Sequence, residues 1–172
     1  LFAPQLYYWK IVTGNYLFYS YGNAGFNHWN SPKMLQVLFS PQNGWLIYSP
    51  LMITGLLGVA IMMKQNIKGW LMPTVTLLIA TYVFGSWWAW WFGGAYGHRC
   101  YVDFLPVLAV PMALFIKQLS DDKKAVYMFA TVCVILIFIN IRMSDIYEGM
   151  WDGPEWTWYS YLGKLKQVFY LN

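Results

Sequence analysis

GWLMPTVTLLIATYVFGSWWAWWFGGAYGH, residues 69–98, contains no Asp, Glu, Lys or Arg, and this stretch decides the class of fold. A helix needs about 20 apolar residues to cross a bilayer, and backbone polar groups in lipid must be hydrogen-bonded within the segment. The whole chain shares this bias, since 59% of its residues are hydrophobic and only 10% are charged. The sequence therefore predicts an all-α integral membrane protein.

Other long uncharged stretches lie on both sides of this one, and each supplies one predicted crossing. We predict about four transmembrane helices, near 45–63, 70–91, 100–119 and 124–142. Pro50 lies within the first of these helices, where we expect a kink rather than a helix start. The predicted divisions are a preceding helix end with an aromatic-rich extracytoplasmic loop (1–44), the transmembrane region (45–142) and an extracytoplasmic aromatic tail (143–172).

The lysines favour one orientation of these helices. They lie between the first and second predicted helices and between the third and fourth, which is the same side: Lys64, Lys68, Lys117, Lys123 and Lys124. The positive-inside rule assigns that side to the cytoplasm. Arg142 opposes this orientation weakly, because it precedes a tail that would then be extracytoplasmic.

Nucleic-acid binding and metal chemistry are not indicated by the charged and sulfur-containing residues. The net charge is +4, but the basic residues are scattered singly or in pairs rather than forming a stripe. Cys100 and Cys133 lie far apart and lack the Cys and His spacing of a metal site. We therefore predict no metal site and no nucleic-acid partner.

The most polar cluster of the chain directly follows its heaviest aromatic cluster, in WWAWWFGGAYGHRCYVDFLP, residues 87–106. Glycines in the turn allow backbone N–H groups to approach a ligand closely, and we expect the third helix to begin near His98 or Arg99. A helix N-terminus attracts anions, and a guanidinium adds bidentate geometry suited to phosphate. This pattern predicts an anion site at the membrane surface, where Asp103 orients Arg99.

Simpler interpretations of the same residues remain open. The tryptophans at 87–91 are also typical of an aromatic belt at the membrane interface. Arg99 has a second interpretation as a snorkelling anchor paired with Asp103, which lies four residues on and on the same helical face.

Three sequence motifs resemble those of a known enzyme class. They are PQLYYWKIVTG, LFSPxxGxxxYSPL (38–51) and WxxxxFGGxYGxR (87–99), together with the stretch YSYGNAGFNHWNSP. Over roughly residues 4–113 the chain resembles the C-terminal half of bacterial, especially Bacteroidetes-type, multi-spanning glycosyltransferases of the GT-C class. These enzymes are similar in kind to protein O-mannosyltransferases and aminoarabinose transferases. The remainder of the chain matches only as apolar helix and tail.

The resemblance implies transfer of a sugar from a polyprenyl-phosphate donor to an extracytoplasmic acceptor, which is a lipid, glycan or protein. It implies a multi-pass location in the bacterial inner membrane, contact with membrane lipid, and no cofactor. The expected donor-phosphate residues are Arg99 and His98 with the backbone of Gly94 and Gly97. The expected cavity-lining residues are Trp91, Tyr96 and Tyr48, and the expected acceptor-side residues are Tyr21, Asn23 and Asn27.

The catalytic base is not assigned by the sequence. In this class it usually lies in the first extracytoplasmic loop, and the opening LFAPQLYYWK is typical of an element already in progress. We therefore expect the chain to be a C-terminal fragment that lacks the base and is inactive alone. A transporter, a non-catalytic scaffold or a flippase-like module that binds lipid phosphate remains an alternative.

Overall fold

The computed structural model describes residues 2–19, 21–22, 24–149, 151, 153 and 155–170. Within those ranges the chain is helical and contains no β-strand. The α-helices are α1 (Ala3–Thr13), α2 (Met34–Phe39), α3 (Trp45–Tyr48), α4 (Met52–Lys64), α5 (Leu71–Ser86), α6 (Leu105–Leu119), α7 (Lys123–Ile146) and α8 (Trp158–Gln167). A 3-10 helix, Arg99–Phe104, leads directly into α6. This confirms the all-α prediction and the start of the third helix at Arg99.

The first predicted helix, 45–63, is divided into α3 and α4, so the prediction of a kinked but continuous helix is wrong. Ser49 leaves the helical conformation (φ −131°, ψ 60°), and a new helix begins at Met52. Pro50 has no N–H to offer the preceding turn. The Tyr48 carbonyl instead accepts a hydrogen bond from Asn140 Nδ2 of α7 at 2.7 Å.

The second predicted helix, 70–91, ends at Ser86, five residues early, because another segment takes its last carbonyl groups. The Gly85 carbonyl accepts from Lys33 N at 2.8 Å, and the Ser86 carbonyl accepts from His28 N at 3.0 Å. Residues 89 and 90 would have to donate to those two oxygens for the α-helix to continue. The tryptophans at 87–91 therefore lie in turns.

Helices α4 and α6 pack closely and run in the same direction. A Cβ atom on Gly55 would lie 3.1 Å from the Leu108 side chain, and one on Gly58 would lie 1.9 Å from the Pro111 carbonyl oxygen. Both contacts advance along the two helices together, which makes the pair parallel. Gly55 and Gly58 therefore form the surface on which α4 packs against α6.

Helices α5 and α7 run in the opposite direction to α4 and α6. The Thr81 hydroxyl, late in α5, lies 2.7 Å from the Tyr101 hydroxyl at the start of the 3-10 helix. In α7, Phe129 near the beginning meets Phe115 near the end of α6, with ring centroids 5.8 Å apart. The lysines that end α4 and α6 and begin α7 consequently lie at one end of the bundle, and the aromatic turns lie at the other end.

Within the described ranges, two helices are long and apolar enough to cross a membrane. They are the combined 3-10 and α6 segment, Arg99–Leu119, with 21 residues, and α7, with 24. Helices α4 and α5 are apolar but contain 13 and 16 residues. At 1.5 Å per residue, each is shorter than the roughly 30 Å hydrocarbon core.

Candidate functional site

Tyr48 is the centre of an aromatic cluster at the end of the bundle opposite the lysines. Its ring is buried, and its centroid lies 5.2 Å from that of Tyr96 and 5.5 Å from that of Tyr161. Its hydroxyl donates to the Pro41 carbonyl at 2.6 Å and accepts from Trp156 Nε1 at 3.2 Å. The cluster therefore joins the α2–α3 loop, the turn after α5 and the C-terminal segment.

The C-terminal segment packs against the loop between α2 and α3. Trp156 stacks on Trp151 with ring centroids 4.8 Å apart, and its Nε1 also lies 3.0 Å from the Pro41 carbonyl oxygen. Gln42 Nε2 donates to the Gly153 carbonyl at 2.7 Å. The sequence offered only a high aromatic content as a signal for this packing.

Asn43 holds the glycine-rich turn against α3. Its amide donates from Nδ2 to the Trp91 carbonyl and accepts at Oδ1 from Gly97 N, both at 3.2 Å. Gly97 has φ +77°, and a Cβ atom there would lie 3.1 Å from Tyr48 Cβ. The predicted ligand-binding N–H of Gly97 is thus used within the fold, and the missing side chain makes room for Tyr48.

His98 is buried in the fold, with only 4% of its surface exposed. Its ring packs near those of Phe84, Phe92 and Tyr101, with centroids 5.0 to 5.5 Å away. Nε2 lies 3.2 Å from the Trp90 carbonyl oxygen and donates to it, since a carbonyl can only accept. Nδ1 forms no hydrogen bond with another described residue. Burial lowers the pKa of His98 from 6.5 to about 4.

The buried imidazole predicts acid sensitivity. Because the unfolded chain binds this proton more readily than the folded protein, stability is complete above about pH 6.5 and decreases toward pH 4. The expected loss is about 3 kcal/mol, measured by thermal unfolding in detergent between these pH values. His98→Phe should remove most of this pH dependence, whereas His28→Gln should retain it. Equal acid sensitivity of the His98→Phe variant would contradict the assignment.

Arg99, Asp103 and Gly94 all lie on the surface near the start of the 3-10 helix. Across the described part of the chain the only ion pair joins Lys164 to Glu148, so Arg99 and Asp103 are not paired as predicted. Gly94 has φ +80° and open space around it. The fold therefore turns His98 and Gly97 inward, whereas Arg99 and Gly94 are exposed.

Tyr21 and Asn27, two of the predicted acceptor-side residues, belong to a segment that contacts the end of α5. Tyr21 is exposed and its ring contacts that of Trp87, with centroids 5.6 Å apart. Asn27 is exposed, and its backbone N–H donates to the Gly25 carbonyl at 3.1 Å. Asn23 lies outside the described residues.

A cavity of about 520 Å³ opens at the break between α3 and α4. Tyr48 and Tyr96, both expected from the sequence, line it, whereas Trp91 does not. The remaining lining residues come from the broken helix and from one face of α7: Ser49, Pro50, Leu51, Met52, Leu136, Ile137, Asn140, Ile141, Ser144 and Asp145. The cavity therefore has an apolar part and a polar part.

The α7 residues of the cavity were not predicted as site residues. Asn140, Ser144 and Asp145 share one helical face with Leu136 and Ile137, at spacings of four and five residues. Polar side chains at that spacing in an otherwise apolar helix are the sequence signal for this face. The sequence does not predict a cavity at this face, because the opposite side of the cavity exists only where the chain breaks between α3 and α4.

No family model, curated protein or solved structure matches this chain.

Proposed function

We propose that this chain is part of a bacterial GT-C glycosyltransferase that transfers a sugar from a polyprenyl-phosphate donor to an extracytoplasmic acceptor. The resemblance in the motifs at 38–51 and 87–99 suggests the class. The observation that carries the proposal is the cavity at the α3–α4 break, which places polar groups beside an apolar helix face. A lipid-linked sugar needs both surfaces, because its isoprenoid chain is apolar and its head is polar.

In this proposal four segments cross the inner membrane: α3 with α4, α5 with the turns that flank it, the 3-10 helix with α6, and α7. The exposed apolar side chains of α7 outside the cavity, such as Met128 at 69% and Val134 at 66%, then face lipid or another part of the same protein. Broken helices at membrane depth are tolerated where they line a cavity. The α3–α4 break meets that condition, and Asn140 satisfies a carbonyl that the break leaves free.

The lysine-rich end is cytoplasmic in this arrangement, and the cavity is extracytoplasmic. In a background with Cys100 and Cys133 replaced by serine, Gln65→Cys should react with a membrane-impermeant thiol reagent only after permeabilisation. Gln167→Cys, in α8, should react in intact spheroplasts. Both positions are exposed, so burial does not account for a difference between them. External labelling at position 65 would reverse the orientation.

Arg99 provides the positive charge for the donor phosphate in this proposal. Its side chain is exposed and has no ion-pair partner within the described ranges. It follows Tyr96, a lining residue of the cavity, by three positions. An exposed guanidinium suits a phosphate because its planar fork donates two parallel hydrogen bonds.

The test is transfer of radiolabelled sugar from polyprenyl-phosphate hexose or pentose by membranes containing the full-length product of the gene. Arg99→Ala should weaken donor binding by tens of fold, since hydrogen bonds to charged groups contribute about 1.5–3 kcal/mol. Arg99→Lys should recover only part of this, because an ammonium lacks the planar fork. Donor binding without any transfer would favour the flippase-like or transporter alternative. Unchanged donor affinity in Arg99→Ala would exclude Arg99 from the site.

A further inference from the structure

The cavity is lined by several side-chain oxygens that form no hydrogen bond within the described part of the chain. Ser49, Tyr96, Ser144 and Asp145 line the cavity, and none of their side-chain oxygens bonds to a described residue. By contrast, the Tyr48 hydroxyl and the Asn140 amide are both engaged within the protein. These four residues provide three hydroxyls, which donate and accept hydrogen bonds, and one carboxylate, which accepts them.

The cavity also has an apolar part, formed by residues of α7 and of the start of α4. Leu51 and Met52 at the start of α4 face Leu136, Ile137 and Ile141 across the cavity. A volume of about 520 Å³ lies within the usual range for small-molecule sites. The arrangement therefore fits one end of an amphiphile, with hydrocarbon along α7 and a polar head near Asp145.

The charge of the cavity favours one kind of polar head group over another. Among the described residues that line the cavity, Asp145 is the only carboxylate, and none is Lys or Arg. A phosphate placed there would meet a like charge and no counter-charge, which is unfavourable. A sugar brings several hydroxyl donors for the carboxylate, and the Tyr96 ring offers an apolar surface for its C–H groups.

We propose that this cavity binds the sugar of the lipid-linked donor, with Asp145 accepting hydrogen bonds from sugar hydroxyls and Tyr96 packing against the sugar ring. The inference rests on the proposed glycosyltransferase function and adds that the sugar and the phosphate of the donor bind at different places. The donor phosphate binds outside this cavity, and the cavity selects the glycosylated lipid over the free lipid phosphate. Asp145 is a specificity-determining residue in this view.

The experiment compares two photoreactive probes in lipid nanodiscs that contain the full-length protein. One is a farnesyl phosphate with a diazirine on its chain, and the other is the same molecule with glucose on the phosphate. We expect the glucosyl probe to label the 136–145 region of α7 and to bind at least about tenfold more tightly there than the plain probe.

Variants separate the carboxylate from the rest of the site. Asp145→Ala should lower affinity for the glucosyl probe by about tenfold or more and leave the plain probe unchanged, while Asp145→Asn, which keeps an acceptor oxygen, should recover part of it. Asp121→Ala is the matched control, because Asp121 is also exposed, lies outside the cavity and has no part in the proposed donor site. It should change neither affinity. Thermal unfolding should be the same for all three variants, since neither carboxylate pairs within the described residues.

The possible failures are distinguishable. Equal binding of the two probes, or an equal loss of affinity for both in Asp145→Ala, would overturn the sugar assignment. If the full-length protein still transferred sugar, the proposed function would stand. Labelling of the 87–99 turn by the glucosyl probe, with α7 unlabelled, would also overturn it. Absence of both transfer and probe binding would remove the glycosyltransferase proposal and this inference together.

Discussion

Gly58→Ala is expected to destabilise the protein by about 3 kcal/mol or more, although alanine is the better helix former. The added Cβ would lie 1.9 Å from the Pro111 carbonyl oxygen and 2.3 Å from its carbonyl carbon. These are backbone atoms, so no side-chain rotation relieves the overlap, and α4 and α6 must move apart. Loss of their packing would expose the α4–α6 contact around Leu108, which is fully buried.

A graded glycine series gives this prediction its controls. Gly55→Ala should cost less, because the three atoms nearest to its Cβ belong to the Leu108 side chain and lie 3.1 Å away, a far smaller overlap than at Gly58. Gly163→Ala in α8 should be neutral or slightly stabilising, since nothing lies within 4 Å of the added atom. Thermal unfolding in detergent measures all three variants. Equal melting temperatures for Gly58→Ala and Gly163→Ala would show that α4 and α6 do not pack as described.

Trp156→Ala is expected to have the second large effect, at about 3 kcal/mol, and to detach the C-terminal segment from the aromatic cluster. The substitution removes the stack on Trp151 and the Nε1 donor that reaches the Pro41 carbonyl and the Tyr48 hydroxyl. Trp156→Phe keeps an aromatic ring but not the N–H, so we expect it to cost less, about 1–2 kcal/mol.

Trp158→Ala provides the matched control, because Trp158 lies two residues away and its side chain is 46% exposed. It should change stability by less than about 1 kcal/mol. Limited proteolysis gives a second measurement, since detachment should make cleavage after Lys164 and Lys166 faster in Trp156→Ala than in Trp158→Ala. Equal cleavage rates in the two variants would mean that Trp156 does not hold the segment.

The class of fold could be predicted from the sequence, because a long uncharged apolar stretch forms a helix without help from remote segments. A helix satisfies its own backbone, so residues 100–119 and 124–142 predicted helices whose observed bounds, Arg99–Leu119 and Lys123–Ile146, differ by few residues. The placement of lysines at one end followed from the same pattern, because short connections between antiparallel helices return the chain to the same side.

Only the tertiary structure decided where the helices break and which polar groups remain available. Helix α5 ends at Ser86 because Lys33 and His28, distant in the sequence, occupy its last carbonyl groups. His98 and Arg99 are adjacent in the chain, yet one is buried against Trp90 and the other is exposed. Asp145 lines a cavity only because α7 faces the break at Pro50. These outcomes depend on contacts between remote segments, and local sequence patterns do not encode them.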